Sequence, residues 1–156
     1  MGIVFHKPIP FGSVLLMQRA YEVLKDIFGY DDFRLQQKNA IENILDGKDT
    51  FVLMPTGGGK SLCYQVPALC LDGVTIVISP LISLMKNQVD ALKINGIAAE
   101  YLNSTLEMET WNEIYDDVLQ GNIKMLYLSP EGLTSGRIQS LIRQSNIALV
   151  AVDEAH

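Results

Sequence analysis

The stretch TFVLMPTGGGKS, residues 50–61, decides the fold of this chain. A short apolar run leads into three glycines, and Gly59, Lys60 and Ser61 complete the phosphate-loop pattern G-x-x-x-x-G-K-[ST]. Met54 stands where that pattern has its first glycine. Consecutive glycines still let backbone N–H groups turn inward around a phosphate, and a following helix adds partial positive charge. The stretch therefore predicts a strand, a phosphate-binding loop and a helix, in that order.

The loop predicts a site for ATP with Mg²⁺. We expect Lys60 to reach the β- and γ-phosphates and the Ser61 hydroxyl to bind Mg²⁺. The backbone expected to surround the phosphates belongs to Thr56, Gly57, Gly58 and Gly59. A glycine-rich turn with an accidental Lys-Ser is the alternative, and the strand before the loop and the helix after it disfavour that alternative.

A second stretch, ALVAVDEAH at residues 148–156, is an apolar strand that ends in two carboxylates. Open α/β sheets bind ligands at the carboxyl ends of their strands. We expect Asp153 to hold Mg²⁺, directly or through water, and Glu154 to orient and deprotonate the attacking water. An exposed acidic turn after a strand is the alternative for an isolated pair of acids.

Short apolar runs alternate with segments of helical periodicity from residue 50 onward. The predicted strands span residues 50–54, 74–79, 98–102, 123–128 and 147–152. The predicted helices span residues 14–28, 34–45, 60–71, 81–93, 106–120 and 131–143. This pattern indicates an α/β fold, with a mostly parallel sheet of about five strands, helices on both faces and two N-terminal helices before it. We expect residues 1–13 to be an irregular leader and residues 14–156 to form one domain.

Composition and charge limit the classes of protein to consider. The chain has 156 residues, 48% of them hydrophobic, and a formal net charge of -6, which fits one globular domain. No apolar run reaches the roughly 18 residues of a membrane span, so we expect a cytoplasmic protein without membrane partners. Cys63 and Cys70 would lie about 10 Å apart on one helix, which is too far for a disulfide. The acidic balance restricts any nucleic-acid contact to local patches.

Two strand ends carry a Ser-Pro pair, Ser79-Pro80 and Ser129-Pro130. Proline suits the first turn of a helix, and neighbouring N–H groups can face an anion there. Lys86 follows the first pair and could touch a phosphate backbone. Simple strand-to-helix junctions and a solvated helix face are the alternatives.

The chain resembles the N-terminal part of the RecQ family of DNA helicases, in helicase superfamily 2. The resemblance runs from about residue 20 to residue 156, with the motifs in the family's order. The motifs are FGY at 28–30, Phe33-Arg34 with Gln37, MPTGGGKSLCYQ at 54–65, SPLISLMK at 79–86, LNS at 102–104, SPE at 129–131 and DEAH at 153–156. The triple-glycine loop followed by SLCYQ is much more specific than a generic phosphate loop.

The resemblance implies a RecA-like P-loop NTPase lobe, incomplete at its C-terminus, from an ATP-dependent helicase. That helicase would unwind DNA 3′ to 5′ in repair and recombination, with single-stranded and forked DNA as partners. Tyr30 would stack on adenine, and Arg34 and Gln37 would contact the nucleotide. The segments with Ser79, Pro80, Lys86, Ser129 and Pro130 would line the single-strand path. Taken without the resemblance, Tyr30 is expected to be partly buried and Gln37 to lie on the surface.

The chain departs from the family pattern at several places. Leu35-Gln36 replaces the usual Pro-Gly, and Gly132 replaces an arginine, which removes a charge from one expected DNA contact. The second RecA-like lobe with its arginine finger is absent, so we expect this chain to bind nucleotide, hydrolyse it poorly and unwind nothing. The alternatives are an RNA helicase of superfamily 2, or a non-catalytic nucleotide-binding module or truncated remnant.

Overall fold

The computed structural model describes residues 2–6, 13–55 and 59–153. The strands are β1 Gly2–His6, β2 Thr50–Val52, β3 Val74–Ile78, β4 Ala99–Leu102, β5 Met125–Leu128 and β6 Ile147–Asp153. The helices are α1 Ser13–Phe28, α2 Leu35–Leu45, α3 Leu62–Cys70, α4 Ile82–Ile94, α5 Met108–Leu119 and α6 Gly136–Gln144, with a 3₁₀ turn at Glu131–Thr134. These elements form two compact units, one of residues up to Asp72 together with those from Ala148, the other of Gly73–Ile147.

The first unit combines antiparallel strands with three helices. β1 pairs antiparallel with β2 and with β6. Helices α1, α2 and α3 contact one another, and α2 also contacts β2. Side chains of α1 and α2 that recur at helical spacing are almost completely buried, among them Leu24, Ile41 and Ile44. Burial of this apolar face stabilises the two helices that precede β2 and the phosphate loop.

The second unit is a parallel sheet flanked by helices. β5 is central and pairs in parallel with β3 on one side and β4 on the other. Its four residues are all 0% exposed, as expected of a strand covered on both faces. Helix α4 contacts β4 and β5, and α5 contacts β4. The predicted α/β class with parallel strands and covering helices is confirmed.

Two predictions about local structure were wrong. Residues 1–13 were expected to be irregular, whereas Gly2–His6 form β1, because a run with β-branched and aromatic residue types favours a strand once β2 and β6 offer hydrogen-bonding edges. The helix expected over residues 131–143 is divided, because the extended backbone of Ser135 ends the 3₁₀ turn and begins α6. Cys63 and Cys70 are free thiols, as predicted. Within the described part of the chain, every helix is too short or too polar to cross a membrane.

Candidate functional site

The phosphate-loop segment lies between β2 and α3 in the first unit. Lys60 and Ser61 are half-buried in the turn before α3, and Ser61 is the N-cap residue of that helix. The helix therefore begins two residues later than the sequence predicted. Thr56, Gly57 and Gly58 lie outside the described residues.

Met54, the departure from the generic loop pattern, belongs to the core beneath the loop. It is 8% exposed and packs in one buried cluster with Ala40, Val52 and Cys63. The Cys63 thiol lies 3.9 Å from the Met54 sulfur. A buried apolar side chain at this position anchors the loop's first residue against α2 and α3, which explains why a glycine is not needed there.

Gln37 joins the start of α2 to the phosphate loop. Its Nε2 donates a hydrogen bond to the Gly59 carbonyl oxygen at 3.0 Å, and its Oε1 accepts one from the Arg34 N–H at 2.9 Å. The residue is only 4% exposed, so the expectation that it lies on the surface was wrong. The side chain turns inward because both ends of the amide find backbone partners there.

Gly59 is required by its conformation and by its neighbour. Its φ is +75°, in the left-handed region that favours glycine. A Cβ at this position would lie 2.5 Å from Gln37 Nε2, which is closer than a real contact allows. The Gln37 amide can therefore approach the loop this closely only because Gly59 has no Cβ.

A cavity of about 190 Å³ lies beside this contact. Its lining residues are Leu24, Tyr30, Asp32, Arg34, Gln37, Gly59 and Leu62. Pockets for whole drug-sized ligands have roughly 300–1,000 Å³, so this cavity suits part of a ligand, such as a flat base. Tyr30 is 57% exposed, more than the partial burial expected from sequence, which leaves its ring available for stacking. Four residues predicted to contact nucleotide, Tyr30, Arg34, Gln37 and Gly59, therefore line one cavity.

Asp153 ends β6 and is only 3% exposed. Its Oδ2 accepts a hydrogen bond from the Tyr64 hydroxyl at 3.1 Å. A carboxylate at the carboxyl end of a strand, buried and held by a donor, differs from the exposed acidic turn that was the alternative. Buried carboxylates need such partners or a cation, and carboxylate oxygens are also ligands that hard cations take. Glu154 lies outside the described residues.

Three polar residues follow the three parallel strands of the second unit. The register aligns Ile78, Leu128 and Leu102, so Ser79, Ser129 and Asn103 come next in one row. Ser79 is 2% exposed and Ser129 is 8% exposed, and the Ser129 hydroxyl oxygen accepts a hydrogen bond from the Gly132 N–H at 3.2 Å. Within the described chain, Ser79 Oγ and Asn103 Nδ2 are buried without a hydrogen-bond partner.

The exposed members of the predicted nucleic-acid surface are Pro80, Lys86 and Pro130. The two serines were predicted to line the strand path, and their burial makes them part of the sheet edge beneath the exposed groups. The structure also identifies two buried residues that had no predicted role, Tyr64 and Asn103. Tyr64 belongs to the MPTGGGKSLCYQ motif and Asn103 to the LNS motif, and these motifs were the only sequence signal for either residue.

A protein-family model described as DEAD/DEAH box helicase matches residues 34–156. The ATP-dependent DNA helicase RecQ of Haemophilus influenzae is 50% identical over 137 residues, 88% of this chain and 22% of that protein. RecQ of Pasteurella multocida is 48% identical over 95% of this chain and 23% of its own length. The RecQ-like DNA helicase blm-1 of Caenorhabditis elegans is 47% identical over 87% of this chain and 14% of its own length. This chain spans less than a quarter of these relatives, and it belongs to the DEAD/DEAH box helicase family, among the RecQ-type helicases.

Proposed function

We propose that residues 14–156 are part of the ATP-binding domain of a RecQ-type, ATP-dependent DNA helicase that unwinds 3′ to 5′ and acts in DNA repair and recombination. The observation that supports this most is the hydrogen bond from Gln37 to Gly59. It joins the segment expected to hold adenine to the loop expected to hold the phosphates. A single nucleotide could therefore contact both.

In this proposal each residue has a defined task. Tyr30 stacks on the base, while Arg34 and Gln37 fix the nucleotide at the edge of the cavity. Lys60 neutralises charge on the β- and γ-phosphates, since an ammonium on a flexible stem acts as a point charge there. The phosphates themselves are surrounded by the backbone of Thr56, Gly57, Gly58 and Gly59.

The residues present fit Mg²⁺ as well as ATP. A hard cation takes oxygen ligands, and the Ser61 hydroxyl and the Asp153 carboxylate supply them. Bound Mg²⁺ would offset negative charge on the phosphates during phosphoryl transfer. Glu154 is proposed to accept the proton of the attacking water.

Nucleic acid is proposed to contact the second unit through exposed groups after β3 and β5. Pro80, Lys86 and Pro130 supply exposed surface above the buried serines. With a net charge of -6 the whole chain repels phosphates at long range, so binding depends on these local contacts. DNA is favoured over RNA because the relatives' names specify DNA helicases. We propose single-stranded and forked DNA as partners and the cytoplasm, at the nucleoid in a bacterium, as the location.

We infer that unwinding involves a second RecA-like lobe in addition to residues 1–156. The closing of two lobes around a strand needs the second RecA-like lobe, and an arginine finger can contribute about 10³–10⁵ in rate. We expect the 156-residue chain to bind a fluorescent single-stranded DNA weakly, more tightly than the matching RNA, and to leave a forked duplex intact. Tighter binding of RNA, or robust unwinding by this chain alone, would contradict the proposal.

A further inference from the structure

Tyr64 and Asp153 form a buried pair in the first unit. The Tyr64 hydroxyl donates to Asp153 Oδ2 at 3.1 Å, and each residue is 3% exposed. They stand 89 positions apart in sequence, on α3 and at the end of β6. The contact therefore links the helix that follows the phosphate loop to the strand that carries the proposed metal ligand.

A phenol is suited to orient this carboxylate without replacing a cation. A carboxylate has about four lone-pair sites, so one O–H donor at Oδ2 is compatible with a metal on the same group. A lysine or arginine in that place would compete with Mg²⁺ for the negative charge. The hydroxyl is neutral, and its rigid ring is held in the core, so it fixes the rotation of the carboxylate at little electrostatic cost.

The same helix turn holds the second proposed metal ligand. Ser61 is the N-cap of α3, and Tyr64 follows three residues later, where side chains lie on the same helix face. The Tyr64 N–H also bonds to the Ser61 carbonyl oxygen at 3.2 Å. The start of α3 thus carries Ser61, which is expected to bind Mg²⁺, and Tyr64, which holds the other expected ligand, Asp153.

We propose that Tyr64 is a positioning residue for the metal, whose hydroxyl sets the orientation of Asp153 toward Mg²⁺ bound with a nucleotide. This inference rests on the proposed function, because it takes Asp153 as a metal ligand. Metal-binding carboxylates are commonly held by such outer hydrogen bonds, and removal of an outer partner typically costs about 10–100-fold in metal affinity or activity.

The test measures metal-dependent binding rather than turnover. Calorimetry gives the affinity of the chain for ADP with Mg²⁺ and with EDTA, and the ratio of the two is the metal-dependent gain. Tyr64→Phe should reduce this gain roughly 10-fold and leave the affinity in EDTA unchanged. Tyr127→Phe, which removes a buried hydroxyl from the second unit, is the matched control and should leave both values unchanged.

Asp153→Asn distinguishes the positioning role of Tyr64 from the metal-binding role of Asp153. A gain that is lost in Asp153→Asn and kept in Tyr64→Phe would overturn the positioning role and leave the proposed metal site standing. A gain that survives in Asp153→Asn would contradict the metal site itself.

If Tyr64→Phe does not fold, a measurement on the unmutated chain tests the same role of Tyr64. With tyrosine ¹³C-labelled at the ring carbon bearing the hydroxyl, the Tyr64 signal should shift when Mg²⁺ is added to the ADP-bound chain. An unchanged signal would overturn the inference.

Discussion

Gln37 Nε2 lies 3.0 Å from the Gly59 carbonyl oxygen, and this hydrogen bond connects α2 to the end of the phosphate loop. Because the amide is buried and its Oε1 also holds the Arg34 N–H, the side chain acts as a bridge between two backbone segments. Loss of the bridge would leave a carbonyl and an N–H without their partner. Gln37 also lines the cavity of about 190 Å³, so loss of its side chain should change the shape of that cavity.

Gln37→Ala should weaken both nucleotide binding and folding. Leaving a buried donor or acceptor unpaired costs about 1–3 kcal/mol, so we expect a lower free energy of unfolding and a loss of ADP affinity. Urea unfolding and calorimetry measure the two effects. Gln36→Ala, at the exposed neighbouring position, is the matched control and should change neither; equal behaviour of the two variants would show that the bridge has no energetic role.

Gly59→Ala should be more harmful than the same change at a comparable open glycine. Gly121 has a φ of +78° and, among the described residues, no heavy atom within 4 Å of an added Cβ, so Gly121→Ala tests backbone strain alone. At Gly59 the Cβ would also displace the Gln37 amide.

We therefore expect Gly59→Ala to lose ADP affinity and Gly121→Ala to keep it. In a Gln37→Ala background the effect of Gly59→Ala should shrink, since the displaced group is gone. Additive losses in the double variant, measured by calorimetry, would argue against the steric contact.

Gly132→Arg should strengthen binding to single-stranded DNA. The Cβ of a residue at 132 would lie 3.5 Å from Ser129 Oγ, which is an ordinary contact, so a Cβ fits there. A new phosphate contact should raise affinity and steepen the salt dependence by about one unit of slope. Fluorescence anisotropy against salt concentration measures this, with Gly132→Ala as the uncharged control. If Gly132→Arg binds single-stranded DNA no better than Gly132→Ala does, the DNA does not pass close to residue 132.

The two thiols should differ in reactivity. Burial raises the pKa of the Cys63 thiol from 9.0 to about 11. At pH 8 such a thiol is thiolate in only on the order of 1 in 1,000 molecules, and the thiolate is the reactive form. With a disulfide reagent at pH 8 the half-buried Cys70 should react, and Cys63 should react only after denaturation. Rapid reaction of both thiols in the folded, unmutated chain would contradict the burial of Cys63. So would rapid reaction of Cys63 in the folded Cys70→Ser variant.

The same pKa shift makes stability depend on pH. The folded state keeps the Cys63 proton to higher pH than the unfolded state does. The contribution is therefore complete below about pH 9 and is lost as the pH rises toward about 11. Urea unfolding across this range should show a steeper fall in the unmutated chain than in Cys63→Ala.

Much of the fold followed from residue patterns, because apolar runs and helical spacing are local properties. The parallel strands of the second unit belong to this class, and so do β2 and α3, which come before and after the predicted phosphate loop. β1 did not, since the strand character of Gly2–His6 depends on pairing with Val52 and Asp153, which are far away in sequence. Periodicity carries no information on such pairing.

The site was less predictable for a related reason. Gln37 looks like a surface residue because its type is usually exposed, and one of the two backbone groups that explain its burial, the Gly59 carbonyl, lies 22 positions away. Tyr64 likewise gains its proposed role from a partner at the other end of the chain. Hydrogen bonds between distant polar groups decide both cases, and they become visible only in three dimensions.

The central claim is that this chain assembles a nucleotide site around the phosphate loop. Calorimetric titration of the chain with Mg-ATP, beside Lys60→Ala, tests it most directly. We predict binding by the unmutated chain and loss of binding in Lys60→Ala, with both proteins folded by circular dichroism. A folded chain that does not bind Mg-ATP, or binding that survives in Lys60→Ala, would contradict the claim.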